Sequence, residues 1–418
     1  MLIGWATPFN VRSAIGKFSL FVCDELRARG HDVEIIRIEG GPELHIEPFA
    51  CNFPIVDAPD CDVRAYDVLV ANFGNHAPYH AQILSLIAQR APLGIFHDIE
   101  MRHFEAGMQH RHDVHLPRLP GIDQQLASAG HQDLVDPAAR PLLATLAAMT
   151  CGAIVHGPHY LETVSTYCPG PVEILSLCFP DTGRPDRRRR LRPGRRVTIF
   201  GVINENKQPI RVLRTLASLG PSFGSVELHL AGAVDETNRQ RLIAEAKSLN
   251  LPPPLFHDYV SDSKLQQILE NSHAICCLRY PVTEGGSASL VTALYRARPL
   301  IVSDIASYSL VPDDLVYKVS YGTSQDDLAD ALRRIFEDPA EAEDRAARAG
   351  RWAGNQFSAF HYVDALEPIL LSIGKHATLS RIALDLIPAV TTPRHEPMLA
   401  AVSAFAEVLD WMHISQIE

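Results

Sequence analysis

Four consecutive residues, Glu284, Gly285, Gly286 and Ser287, offer the clearest chemistry in this sequence. They lie in the string PVTEGGSASLVTALYRARPLIVSD, residues 281–304. An apolar strand pattern ends near Leu278, and a helical pattern begins at Ser287. Small residues at a helix start leave main-chain N–H groups free to meet an anion, and the helix dipole favours negative charge there. Glu284, just before that start, could accept hydrogen bonds from the hydroxyls of a sugar. An ordinary strand–helix turn with a surface glutamate is the equal alternative. A second loop, FGVINENKQP at residues 200–209, leads from a strand through Gly201, Asn204 and Asn206 to Lys207. A lysine there could neutralise a leaving diphosphate. Taken alone, a solvated lysine in a strand–helix loop is the commoner reading.

The matching loop of the first half of the chain is Ser13-Ala14-Ile15-Gly16-Lys17, between the first strand and the first helix. It is not a G-x-G-x-x-G, so the dinucleotide fingerprint is missing. His97-Asp98 ends another strand and points to the same cleft, although a lone histidine at a strand end is often structural. Of the 19 histidines, His97, His103, His110, His112 and His115 cluster along the chain. Their spacing lacks companion cysteines or carboxylates, so no metal is expected.

These loops need strands and helices to hold them. Short apolar runs alternate with amphipathic helical patterns almost throughout, which implies parallel sheets flanked by helices. Strands are expected at residues 2–6, 32–38, 67–72, 93–97 and 153–156, with helices at 14–29, 78–90 and 141–149. The stretch 101–137 reads as a long loop, a wall or lid of the cleft. Residues 180–196, PDTGRPDRRRRLRPGRR, carry eight arginines and read as a linker. The rhythm restarts with strands at 197–200, 227–231, 273–278, 300–303 and 315–319. Helices are expected at 209–219, 236–249, 262–271, 287–296 and 325–337, and helical material fills 340–373. The expected fold class is α/β: two Rossmann-like domains at 1–180 and 197–357 face each other across a cleft. The linker spans 181–196, and C-terminal helices at 358–418 return to the first domain. Two such units place a ligand at the carboxyl ends of both sheets.

The 418 residues are 46% hydrophobic and 21% charged, with a net charge of −11. That balance argues against nucleic acid as a partner, and no aromatics interleave with the arginine run. The run could instead touch an anionic membrane surface, or simply be solvated. None of the eight cysteines forms a C-x2-C pair, which fits a reducing, cytoplasmic setting. No apolar stretch reaches the ~18 residues of a membrane span. The N-terminus also lacks the charged start and cleavage site of a signal peptide.

In chain order, SAIGKFSLFVCDELRARGHDV, GIFHDIE, VHGPHYLETV, VEILSLCFP, FGVINENKQPIRVLRTLA, FHDYVSDSKLQQILENSHAICCL and PVTEGGSASLVTALYRARPLIVSD resemble segments of the retaining glycosyltransferases of the GT-B fold, family 4 in particular. The resemblance covers residue 2 to about 373. It implies metal-independent transfer of a hexose-type sugar from a nucleoside-diphosphate donor to a glycan, lipid-linked or protein acceptor, without a cofactor. In that reading His97, Glu284 and Lys207 are catalytic. Gly16, Asn204, Val260, Ser261, Gly285, Gly286, Ser287 and Thr292 hold the donor, with Val260 and Ser261 at the base. Asn10, Arg12 and Lys17 face the acceptor. Two positions depart from the family: Thr292 replaces the second glutamate of E-x7-E, and Val202 replaces an arginine on the diphosphate. Both departures keep a non-catalytic binding module in view, and a sugar-nucleotide epimerase is a third reading. Residues 376–418 lie outside the resemblance and could cap the first domain or mediate homo-oligomer contacts.

Overall fold

In a computed structural model, residues 1–109, 141–180, 194–220, 223–322 and 326–390 are described. Among these described residues, the apolar runs form thirteen strands in two parallel sheets. In the first sheet, β1 (Leu2–Thr7), β2 (Asp32–Arg37), β3 (Ile55–Asp57), β4 (Val68–Phe73), β5 (Leu93–Phe96), β6 (Gly152–Val155) and β7 (Val172–Ile174) are ordered 3-2-1-4-5-6-7. In the second, β8 (Arg195–Phe200), β9 (Val226–Ala231), β10 (Leu255–Asp258), β11 (Ala274–Cys277), β12 (Leu300–Ser303) and β13 (Tyr317–Val319) are ordered 10-9-8-11-12-13. Strands covered on both faces read as unbroken apolar runs, and β4, β5, β6, β11 and β12 are buried at every position. The expected α/β architecture with two sheets is what forms.

The missed strands are edge strands or short ones. β3 and β7 have three residues each and are largely exposed, and β10 is a half-exposed edge. Local pattern is weak there because pairing comes from one neighbour. The helix expected at 78–90 is instead a 3-10 turn, Ala77–His80, and a short helix, Ile83–Ile87. The wall expected at 101–137 begins with a helix, Arg102–Gln109, and the rest lies outside the described residues. So does most of the arginine linker. Its last two residues are strand instead: Arg196 pairs with Glu227, and Arg195 lies over Phe223 and Phe336.

The first helix, Ala14–Ala28, starts on the Ser13 hydroxyl, which accepts from the Gly16 amide at 2.9 Å. It stops at Gly30, whose φ of +87° suits a residue without a Cβ. Phe18, Val22 and Leu26 fill its buried face as the spacing predicts, together with Ser19 and Cys23 rather than Phe21.

In both sheets the order reverses at the first strand, so the loops after β1 and β4, and after β8 and β11, flank a crevice at the carboxyl edges. The expected helical stretch 340–373 is two helices, Pro339–Gln356 and Ala359–Val390. At the turn between them, the Phe179 amide donates to the Phe357 carbonyl at 3.2 Å. Early in the second of these helices, Glu367 pairs with Arg29, and Tyr362 meets Phe18 edge-on. Residues 369–390 continue that helix and belong to a separate unit. No described helix is long and apolar enough to cross a membrane.

Candidate functional site

The crevice is a trough with two connected ends. At one end, Arg12, Ser13 and Lys17 of the first sheet's loop face Tyr259, Asp262, Gln266, Ser289 and Thr292 of the second. At the other, a cavity of about 490 Å³ is lined by Asn75, His76, Tyr79, His97, Asp98, Glu284 and Gly286. Ser13, Ala14, Phe179 and Ala288 line both ends.

Between them lies an anion-ready point. Gly201 follows β8 directly, with φ of +84°. A Cβ there would stand 3.1 Å from Lys207 Nζ and 3.2 Å from Ser289 Oγ, so the lysine and the first turn of the helix Ala288–Tyr295 converge on one spot. Lys207 is only 6% exposed. Its Nζ lies 6.0 Å from the Phe200 ring centre, and nothing among the described residues accepts a hydrogen bond from it. Burial, then repulsion from Arg279, brings its pKa down to about 8. The first N–H groups of a helix have no intrahelical acceptor; of these, Leu290 is capped by the Ser287 hydroxyl at 3.3 Å.

Glu284 is held, not free. Its Oε1 accepts from Arg279 Nε at 2.9 Å and from the Tyr308 hydroxyl at 2.6 Å. Burial pushes this carboxyl up, but Arg279, Tyr308 and Lys207 outweigh it, so the group stays below its ordinary range and ionised. Its main chain forms an antiparallel bridge with Asp98. The Gly285 amide donates to the His97 carbonyl at 2.8 Å, and the Ile99 amide to the Thr283 carbonyl at 2.9 Å. The Gly285 N–H is therefore engaged in joining the two sheets and is unavailable to a diphosphate. Asp98 lies half-buried beside this bridge and accepts from the Asn75 amide at 2.8 Å. Burial is the main cause that pushes its carboxyl up to about 7.

His97 sits in this second cavity, with Phe18 edge-on at 4.9 Å. Its Nε2 is 2.9 Å from Asn72 Oδ1, and its Nδ1 is 3.2 Å from His156 Nε2. Burial, then the neighbouring His156, lowers its pKa well below the usual histidine value.

Several expected contacts are not made. Gly16 has no Cβ because one would lie 2.4 Å from the Pro8 carbonyl, so this glycine serves helix–strand packing rather than ligand approach. Asn10 is buried and donates to Glu39 at 3.0 Å, which leaves its side chain no reach to an acceptor. Arg12 and Lys17 line the end opposite the His97 cavity, and Lys17 pairs across the crevice with Asp262. Asn204 faces a separate pocket shared with Arg214 and Arg241. Asn206 donates to the Pro281 carbonyl at 3.2 Å instead of assisting Lys207. Tyr259 and Asp262 line the trough where Val260 and Ser261 were expected; Ser261 caps the helix Asp262–Glu270. Thr292 lines the first end, as does Arg296 one turn on, and Val202 is exposed over the second. Arg279, Tyr308, Asn72 and His156 went unnoticed in the sequence. Arg279 stood two residues after a strand, the same signal that marked Glu284. Among the described residues no three His, Cys, Asp or Glu side chains gather as a metal set, and His110, His112 and His115 lie outside those residues.

Residues 186–352 match the family model described as glycosyl transferases group 1. No curated protein matches the chain in sequence. Among solved structures, sucrose-phosphate synthase from Thermosynechococcus elongatus is similar at a TM-score of 0.59 and 14% identity, covering 92% of this chain and 100% of that one. Anabaena Alr3699/HepE in complex with UDP-glucose gives a TM-score of 0.61 at 14% identity, covering 89% of this chain and 100% of that one. WaaG, a glycosyltransferase involved in lipopolysaccharide biosynthesis, gives 0.55 at 14% identity, covering 87% of this chain and 98% of that one. The chain thus has the GT-B fold of these glycosyltransferases, and its second α/β half carries a glycosyl transferases group 1 domain.

Proposed function

We propose that the chain transfers a hexose-type sugar from a nucleoside-diphosphate donor to a glycan, lipid-linked or protein acceptor, with retention and without a metal ion. One observation carries this reading. A buried lysine ammonium without a hydrogen-bond partner among the described residues converges with a helix start on the point beside Gly201. A diphosphate placed there meets Lys207 and the helix dipole, which together stabilise charge as the sugar–phosphate bond breaks. The nucleoside then extends toward Tyr259 and Thr292, and the sugar toward Glu284 and His97. The similar HepE structure is a complex with UDP-glucose, which supports a nucleotide sugar here. The acceptor enters from the Asn75, His76 and Tyr79 side. Exclusion of water from this crevice protects the donor from hydrolysis.

A donor-hydrolysis screen over common nucleotide sugars tests the proposal. Slow release of nucleoside diphosphate from one of them is expected. The other reading, a nucleotide-binding module without turnover, draws on Glu284 Oε1 being fully engaged by Arg279 and Tyr308. Tight nucleotide binding with no release from any donor would decide for it.

A further inference from the structure

His97 and His156 follow neighbouring strands of the first sheet, and their four ring nitrogens face fixed partners. His156 Nδ1 lies 2.9 Å from the carbonyl oxygen of Leu175, so that nitrogen must carry a proton. His97 Nε2 lies 2.9 Å from Asn72 Oδ1. The Asn72 amide cannot be reversed, because its Nδ2 donates to the Ala6 carbonyl at 3.0 Å. His97 Nε2 must therefore carry a proton too. The remaining nitrogens face each other at 3.2 Å and need one proton between them. The full set of bonds needs three protons, and two neutral imidazoles hold two. It forms only when the pair carries one extra proton and one positive charge.

Burial opposes that charge. Both rings are buried, and Phe18 and Tyr362 pack on them without a counter-charge. His80 adds repulsion. The Tyr160 hydroxyl accepts from the His156 amide and donates to the Phe96 carbonyl, so it is engaged elsewhere. The Cys178 thiol and the Tyr362 hydroxyl are neutral, both held far above their usual values by burial. Of the carboxylates that share the cavity, Glu284 is neutralised by Arg279, and Asp98 is pushed up to about 7 by burial. In the empty crevice the pair is neutral and one of the three bonds is missing.

An anion at the helix start changes this balance. A Cβ on Gly286 would lie 3.0 Å from His156 Cβ, and His97 shares its cavity with Gly286 and Ala288. We propose that the His97–His156 pair takes up one proton when a diphosphate binds at this helix start, so that His156, acting through His97, adds a second positive charge to the site beside Lys207. His156 is then a positioning residue, and the inference rests on the donor reading above.

Calorimetry with UDP at pH 8, in buffers of different ionisation enthalpy, reads the protons taken up. Lys207 and Asp98, which titrate at about 8 and about 7, contribute their own shares, common to every variant below. The wild type should take up close to one proton more than His156→Leu, and His156→Leu should bind UDP about tenfold more weakly at this pH, the affinity gain that goes with about nine-tenths uptake of a linked proton. Asn72→Asp puts a carboxylate against His97 Nε2. It should charge the pair before ligand arrives, losing the uptake while keeping the affinity. Histidine ring-nitrogen spectra of the wild type, with and without UDP, read the same change without any substitution. Equal uptake in all three proteins, or ring spectra that stay neutral on binding, would overturn this inference alone. A wild type that binds no UDP would overturn the donor reading and this inference with it.

Discussion

The main-chain N–H of Gly285 donates to the carbonyl of His97 at 2.8 Å, and this bond stitches the second sheet's loop to the first sheet's strand end inside the site. The junction has no room for a side chain. A Cβ on Gly285 would stand 2.2 Å from the Tyr160 hydroxyl oxygen. Gly285→Ala should therefore cost about 1–3 kcal/mol of stability, the usual range for overpacking. Urea denaturation checks this, and an unchanged midpoint would show that the junction opens freely.

Glu284 and Arg279 form a largely buried ion pair at 2.9 Å. Removing one partner strands the other, at a cost of about 3–5 kcal/mol. Glu284→Gln should lower stability in that range. If the sugar also lies against Glu284, kcat should fall more than UDP affinity does, because the sugar changes in the transition state and the nucleotide does not. Paired measurements of kcat and UDP Kd check this; intact turnover in the variant would remove Glu284 from the mechanism.

Burial is the main cause that lowers His80 and His156 to a pKa of about 4. Unfolded, each returns to about 6.5. Between these values the unfolded chain binds more protons than the folded one, so stability rises with pH across the window. Acidification from pH 6.5 toward 4 should destabilise the protein by about 1–3 kcal/mol for each ring. Denaturation midpoints measured across that range check the sign, and a flat profile would contradict it.

On the proposed reading, Lys207 and the helix start take the place of a divalent ion against the diphosphate. Turnover should survive EDTA. Loss of activity under chelation, restored by magnesium or manganese, would refute metal independence.

Much of the fold was legible because buried parallel strands write long apolar runs. The edge strands β3, β7 and β10 were not, since half their positions answer to solvent. At the site, loop position was legible and side-chain direction was not. Lys207 and Gly286 lie where the strand–loop–helix pattern put them, but Asn204 and Asn206 in the same loop point away. Gly16 shows why: a glycine at a crevice loop looks alike whether ligand or its own backbone needs the space. Asn72 and His156 gave no signal, because their meaning lies in partners 25 and 59 residues from them in sequence.

The proposed function stands or falls on whether Lys207 and the adjacent helix start bind a nucleoside diphosphate. Calorimetric titration of UDP into the wild type and into Lys207→Ala tests it most directly. The wild type should bind, and the variant should lose about 1–3 kcal/mol, the range for a hydrogen bond to a charged group. With burial as the main cause, the lysine titrates at about 8 in the free protein, so wild-type affinity should also fall as the pH rises above 8. Equal UDP affinity in the two proteins would contradict the account.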